Sequence, residues 1–184
     1  MFKRLFSRSR FDATTHDLYD TIVAQARQPV LYTDLAVPDT LDGRFDLVVL
    51  HAILVLRRLR RGGEGGADAA QAVFDIMFAD FDRSLREIGV GDLKVGKKIK
   101  QMAQAFYGRA QSYGAALDSG EALVDVLRRN LYGTSQPTAT VLEAAAAYVR
   151  DQERHLAALA DADLLAGRLS FAPAPLPAAG NVSI

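Results

Sequence analysis

The sequence predicts a single all-α domain, and two observations support this prediction. Apolar residues recur at spacings of three and four in about six segments, and no segment shows the sustained alternation or β-branched enrichment typical of a strand. A chain of 184 residues, 49% of them hydrophobic, is long enough to bury one sizeable core. We expect a basic N-terminal extension at residues 1–11, a helical domain at residues 12–171 and a disordered, proline-rich tail at residues 172–184.

The first two helices are expected on either side of a long, irregular loop. Residues 12–28 carry apolar side chains at helical spacing, and Pro29 ends the pattern. Residues 30–44 contain a proline and an Asp-Gly turn signal, so we expect them to form the loop. Residues 45–61 are apolar nearly all round, which predicts the central, most buried helix. Its C-terminal end is rich in cations, which favour that pole of the helix dipole: Arg57, Arg58, Arg60 and Arg61.

Four more helices and a short helical turn follow a connector of glycines. Gly89 is expected to end the third helix, and Ser119 is the expected N-cap of the fifth. The sixth helix is rich in alanine, the strongest helix former. In chain order the predicted helices cover residues 67–88, 92–117, 119–131 and 139–160, with the turn at residues 161–166.

Composition excludes several classes of function. The 22 basic and 22 acidic residues cancel, so nothing indicates a specific affinity for nucleic acid. The absence of cysteine excludes disulfides and thiolate metal sites. The longest apolar run, residues 47–56, is about half the length of a membrane span, and the N-terminus lacks the apolar stretch of a secretory signal. We therefore expect a soluble, cytoplasmic protein with no transmembrane segment.

Residues 91–98 imitate a phosphate-binding loop, with two glycines five residues apart followed by a lysine. The imitation fails because Lys98 replaces the hydroxyl residue that would hold magnesium, and because the preceding segment is predicted to be helix rather than strand. We interpret the segment as a helix-turn-helix connection with lysines facing solvent.

The residues that usually carry catalysis do not form a recognisable site. His16, His51 and His155 lie on different predicted helices, without the spaced partners of a metal site. His51 fits best as a satisfied core histidine, although a ligand or base remains the alternative. No serine lies at a recognised spacing from a base. We expect neither enzymatic activity nor a cofactor.

Several ordered blocks of sequence resemble the ubiquinol-cytochrome c chaperone family over about residues 19–171. The blocks are residues 39–45, 50–51, 78–82, 86–92, 97–100, 106–109, 148–150 and 163–167. The resemblance implies an all-helical, non-enzymatic factor that binds newly synthesised cytochrome b and protects it while ubiquinol-cytochrome c reductase is assembled. It implies a bacterial, cytoplasmic protein close to the inner membrane, with the ribosome or the inner membrane surface as further contacts. Mitochondrial members carry a longer N-terminal region, so attachment of this chain to a membrane does not follow from the resemblance.

A holder of an apolar membrane segment needs exposed apolar side chains. We expect its groove where the loop at residues 30–44 meets the third and fourth helices. The expected apolar contacts with the client are Phe45, Phe78, Phe81, Tyr107 and Tyr113. The expected polar rim consists of Arg44, Asp80, Asp82 and Arg109, and an Arg109→Glu change should therefore weaken client capture with little effect on folding.

Two other functions remain open at this point. An enzyme or carrier whose helical bundle binds a hydrophobic small molecule such as a quinone would need a closed cavity with polar groups around His51. A scaffold subunit would instead present a large, flat apolar face for permanent dimerisation.

Overall fold

The computed structural model describes the backbone of residues 3–119 and 123–173, and side chains from Ala13 onward. The described residues form helices and connecting segments without a strand, which confirms the all-α prediction. The helices are α1 (Lys3–Ala26), α2 (Pro29–Thr33), α3 (Leu41–Arg60), α4 (Gly66–Glu87), α5 (Asp92–Ser119), α6 (Leu123–Asn130), α7 (Ala139–Ala158) and α8 (Asp161–Leu165).

Helix α3 is the centre of the molecule, as its apolar sequence predicts. Every residue from 49 to 56 is buried, so this helix has no solvent-facing side over two turns. It packs against α1, α4, α5 and α7, and α6 reaches the core through α5 and α7. Because the middle of α3 is covered on all sides, only residues near its two ends reach the protein surface.

The segment predicted as an irregular loop contains the short helix α2, and α3 begins at Leu41 rather than at residue 45. Pro29 fits the first turn of α2 because that position needs no backbone donor. The Thr40 hydroxyl caps α3 by accepting from the Gly43 amide at 3.1 Å. Gly43 is required there, since a Cβ would lie 2.0 Å from the Pro38 carbonyl oxygen.

Two other predicted boundaries are wrong. Helix α1 begins at Lys3, well before residue 12, so the expected basic extension continues as helix apart from residues 1 and 2, which lie outside the described residues. Ser119 does not begin the next helix. It lies in the last turn of α5, where its hydroxyl donates to the Ala115 carbonyl at 2.9 Å.

The chain after α8 packs back onto the domain. Ala172, assigned to the tail by the sequence, exchanges two hydrogen bonds with the buried Gln152 side chain, at 2.8 and 3.0 Å. Ala172 therefore packs with the helices, and residues 174–184 of the predicted tail lie outside the described residues. Within the described chain, no helix combines the length and hydropathy needed to cross a membrane.

Candidate functional site

A cluster of six aromatic rings joins α3, α4 and α5. The cluster consists of Phe45, Phe74, Phe78, Phe81, Phe106 and Tyr107. Neighbouring ring centroids lie 4.6 to 6.1 Å apart, and most pairs are tilted or edge to face, which are the favoured arrangements for aromatic pairs. We call this set the aromatic cluster. Its rings hold one another in fixed orientations through three different helices.

The exposure of the rings in the aromatic cluster increases from the core toward the protein surface. Phe81 and Phe106 are buried, whereas Phe45, Phe74 and Phe78 are half-buried. Tyr107 is 55% exposed and rests on Phe74, with the two centroids 5.6 Å apart. The sequence analysis placed four of these rings in the site and did not include Phe74 or Phe106: the four are Phe45, Phe78, Phe81 and Tyr107. The spacing of Phe74 and Phe78 was the available signal, since i and i+4 residues share a helix face.

Arg109 is not on an exposed rim, so this part of the predicted site is wrong. Its guanidinium contacts the Asp46 carboxylate at 2.8 Å, and the two side chains are only 22% and 16% exposed. The Arg109 Nε is buried without a hydrogen-bond partner, and its Cζ lies 6.0 Å from the Phe45 ring centroid. Burial raises the pKa of Asp46 to about 6, although Arg109 acts in the opposite direction. Together these contacts make Arg109 a support beneath the aromatic cluster.

Tyr113 is also misplaced by the sequence analysis, because this residue of α5 is buried in the core. Burial raises the pKa of its hydroxyl, and the nearby Asp46 adds to the effect. Phe81 is likewise buried, so it supports Phe45 and Phe78 from inside and cannot itself meet a partner. Both residues face inward because the outer faces of their helices are taken by polar residues.

The three other predicted rim residues are accessible to different degrees. Arg44 is exposed and pairs with Asp39 at 2.6 Å. Asp82 is partly exposed and accepts from Arg86 at 2.6 Å. Asp80 has a structural task instead: it accepts from the Tyr19 hydroxyl at 2.9 Å and from Arg83 at 2.8 Å, which ties α1 to α4.

His51 is fully buried and satisfied on both ring nitrogens. Its Nδ1–H donates to the Leu47 carbonyl at 2.7 Å, so Nε2 accepts from the Tyr148 hydroxyl, also at 2.7 Å. The Gln25 side-chain amide in turn donates to Tyr148 at 2.9 Å. Burial lowers the pKa of His51 to about 4, which keeps the ring neutral. The chain of donors and acceptors is closed, which favours the core interpretation.

Three clefts border the C-terminal half of α3, and they do not resemble a quinone site. One open cleft, of about 270 Å³, is lined mainly by ion-paired side chains of α3 and α7, among them Arg57, Arg58 and Glu153. His51 lines none of the three clefts. Among the described residues, no group of three histidines or carboxylates is arranged to hold a metal ion. The charged side chains that line the first cleft form ion pairs between helices.

Comparisons with known proteins agree with one another. The sequence model of the family described as Ubiquinol-cytochrome C chaperone matches residues 33–171. Ubiquinol-cytochrome-c reductase complex assembly factor 1 of Xenopus laevis is 25% identical over 149 residues, which are 80% of this chain and 74% of that protein. The human protein of the same name is 24% identical over 170 residues, 91% of this chain and 57% of its own length. The chain thus spans little more than half of the human relative.

A solved structure extends the similarity to the fold. The crystal structure of the Cbp3 homolog from Brucella abortus superposes with a TM-score of 0.82 at 36% sequence identity. The match covers 95% of this chain and 98% of that one. The helices that carry the aromatic cluster therefore lie within the region that the two proteins share.

Proposed function

Because the chain belongs to the ubiquinol-cytochrome C chaperone family, we propose that it is a non-enzymatic assembly factor of ubiquinol-cytochrome c reductase that binds newly synthesised cytochrome b. The family supports the assembly role, and the identity of the client is our proposal. We place the action on the cytoplasmic side of the bacterial inner membrane, where a client membrane protein would be made.

A membrane helix is apolar on all sides and aggregates in water, so its holder must offer an apolar surface before the client reaches the bilayer. The observation that carries our proposal is the exposure of Tyr107 on top of ordered rings. A side chain that is 55% exposed yet packed against Phe74 presents an aromatic face whose orientation is already fixed. Such an anchor loses little conformational freedom on binding, which favours affinity.

The proposed client surface consists of Tyr107, Phe74, Phe78 and Phe45, with Arg44 and Asp82 at its edges. The four rings give a hydrophobic centre, and the two charged residues give a polar border, the usual arrangement of a protein interface. Arg109 lies beneath this surface, where it pairs with Asp46 and its Cζ lies 6.0 Å from the Phe45 ring centroid, whereas Tyr113 is buried in the core. The part of Arg109 in client capture is therefore indirect.

The experiment compares two substitutions of Tyr107 in cells that lack the native gene. Tyr107→Ser removes the exposed ring without opening the core, and we expect recovery of newly made cytochrome b with the tagged protein to fall about tenfold. Tyr107→Phe keeps the ring and should retain capture. Both variants should melt at the wild-type temperature. Equal recovery with Tyr107→Ser and the wild type would contradict the proposal.

A further inference from the structure

The connection between α4 and α5 is an exposed hairpin with two aliphatic side chains in solvent. Leu93 is 98% exposed and Ile88 is 59% exposed. The surroundings are open: a Cβ added at Gly89, Gly91 or Gly96 would meet no atom within 4 Å. We call residues 86–100 the hairpin tip. Single exposed aliphatic side chains are common on protein surfaces, so the exposure of Leu93 and Ile88 is informative only together with the charges around them.

The lysines of the protein are concentrated at this same place. Of five lysines in the sequence, four lie in the first turns of α5: Lys94, Lys97, Lys98 and Lys100. None of the four takes part in an ion pair recorded among the described side chains, where every cation in a bridge is an arginine. The only acidic residues of the hairpin tip are Glu87 and Asp92, and Asp92 pairs with Arg86. The hairpin tip is therefore locally basic in a chain with no net charge.

Helix geometry places Leu93 beside two of the four lysines. Leu93, Lys97 and Lys100 are spaced i, i+4 and i+7, so they share one face of α5. Val95 and Phe106 define the opposite, core-facing side. Lysines near a helix N-terminus oppose the helix dipole, so this arrangement does not serve the stability of α5.

We propose that the hairpin tip docks the protein on an anionic lipid bilayer. Exposed aliphatic side chains flanked by unpaired lysines match such a surface, since the lysines approach lipid phosphates while the aliphatic groups enter the acyl boundary. An RNA partner would use the lysines and leave Leu93 in water, so the combination favours lipid. The proposal goes beyond client binding and needs no client to be tested.

The test is flotation of the purified full chain with lipid vesicles. We expect binding to phosphatidylcholine vesicles that contain about 30% phosphatidylglycerol, weaker binding at high salt, and none to phosphatidylcholine alone. Leu93→Asp and the double change Lys97→Glu/Lys100→Glu should each reduce binding to anionic vesicles about tenfold or more.

Matched controls separate the hairpin tip from general effects. Leu41, 69% exposed at the start of α3, controls for an exposed leucine, and Leu41→Asp should bind like the wild type. Arg129→Glu/Arg150→Glu makes the same change in net charge at exposed sites on other helices and should also bind. No binding to anionic vesicles, equal loss in the controls, or binding of an RNA oligonucleotide in place of vesicles would overturn the proposal.

Discussion

At Asp46 and His51, both on α3, burial favours the uncharged form of the side chain. The pKa of Asp46 rises to about 6, so the folded protein binds that proton more tightly than the unfolded chain does. The proton bound by Asp46 therefore stabilises the folded protein in acid, and this contribution to the free energy of unfolding is lost as the pH rises toward 6. The pKa of His51 falls to about 4, so the folded protein binds a proton at this ring more weakly than the unfolded chain does. The neutral ring therefore contributes its full stabilisation above about pH 6.5, and this contribution is lost as the pH falls toward 4. The two effects oppose each other between these values.

We expect two substitutions to separate these effects. Relative to His51→Gln, the wild type should lose up to about 3 kcal/mol of stability as the pH falls from about 6.5 to 4. Relative to Asp46→Asn, the wild type should lose up to about 3 kcal/mol as the pH rises from about 4 to 6. Urea denaturation at several pH values measures both differences. A difference that stays constant with pH for either variant would contradict the corresponding assignment.

The buried pair of Arg109 and Asp46 leads to a prediction opposite to the one made from the sequence. Arg109→Glu would place two carboxylates in a mostly buried site, and we expect it to lower the free energy of unfolding by about 3–5 kcal/mol. Arg44→Glu makes the same change at an exposed ion pair and should have little effect. Thermal denaturation of the two variants checks this, and similar melting temperatures for both would show that the Arg109 pair is unimportant to folding.

Some of these single-residue roles could be read from the sequence and others could not. The stripe of phenylalanines on α4 is visible because residues on one helix face recur at fixed spacing. The Arg109–Asp46 pair joins helices 63 residues apart in sequence, and no local pattern reveals it. Tyrosine is a residue type that is common at protein interfaces, so the sequence alone suggested an exposed role for Tyr113. Its burial depends on how α5 packs against the other helices. The sequence therefore predicted some accessible residues of the site, such as Tyr107, and missed others, such as Phe74.

At the scale of helices, the arginines at the end of α3 do more than favour its dipole. Arg57 joins α3 to α7 by donating to Glu153 at 2.9 Å, and it also pairs with Asp118 of α5. Arg58 donates to the carbonyls of Leu156 and Leu159, at 3.0 and 2.5 Å, and so caps α7. It also pairs with Asp161 at the start of α8, at 2.6 Å. These arginines fix the ends of several helices around the core.

Arg58 and Arg60 form a matched pair for testing this role. Arg58→Ala leaves the carbonyl groups of α7 without their donor, and we expect a loss of about 2–3 kcal/mol of stability. Amide hydrogen exchange should become faster at the end of α7 and in α8. Arg60 is exposed, and its side chain forms no hydrogen bond or ion pair with the described residues. Arg60→Ala should therefore change neither the stability nor the hydrogen exchange. Equal effects of the two substitutions would contradict the assigned role.

The long helices were predictable, and the short one was not. Helices α4 and α7 match their predicted starts within a residue because glycine or proline precedes a long periodic segment. Helix α2 has only five residues, too few to show a period, and it was hidden in a segment that carries turn signals. The early start of α1 was missed because residues 1–11 have charges and phenylalanines without a clear apolar stripe.

Over the whole molecule, nearly all large apolar side chains of the described region are covered. The exceptions are Leu41, Ile88, Leu93 and Tyr107. Two of them lie on α5, where Leu93 belongs to the hairpin tip and Tyr107 to the proposed client surface, about 21 Å apart along the helix. One long helix thus carries both surfaces. A membrane-docked factor would in this way hold its client within reach of the bilayer.

Site-specific crosslinking of newly made proteins tests the client surface most directly. A photoreactive phenylalanine at position 107 keeps an aromatic ring on the client surface, and position 150, exposed on α7, is the control. We expect the probe at position 107 to crosslink to cytochrome b during its synthesis, and the probe at position 150 to give at most about a tenth of that yield. Equal yields at the two positions, or no cytochrome b product at position 107, would contradict the account.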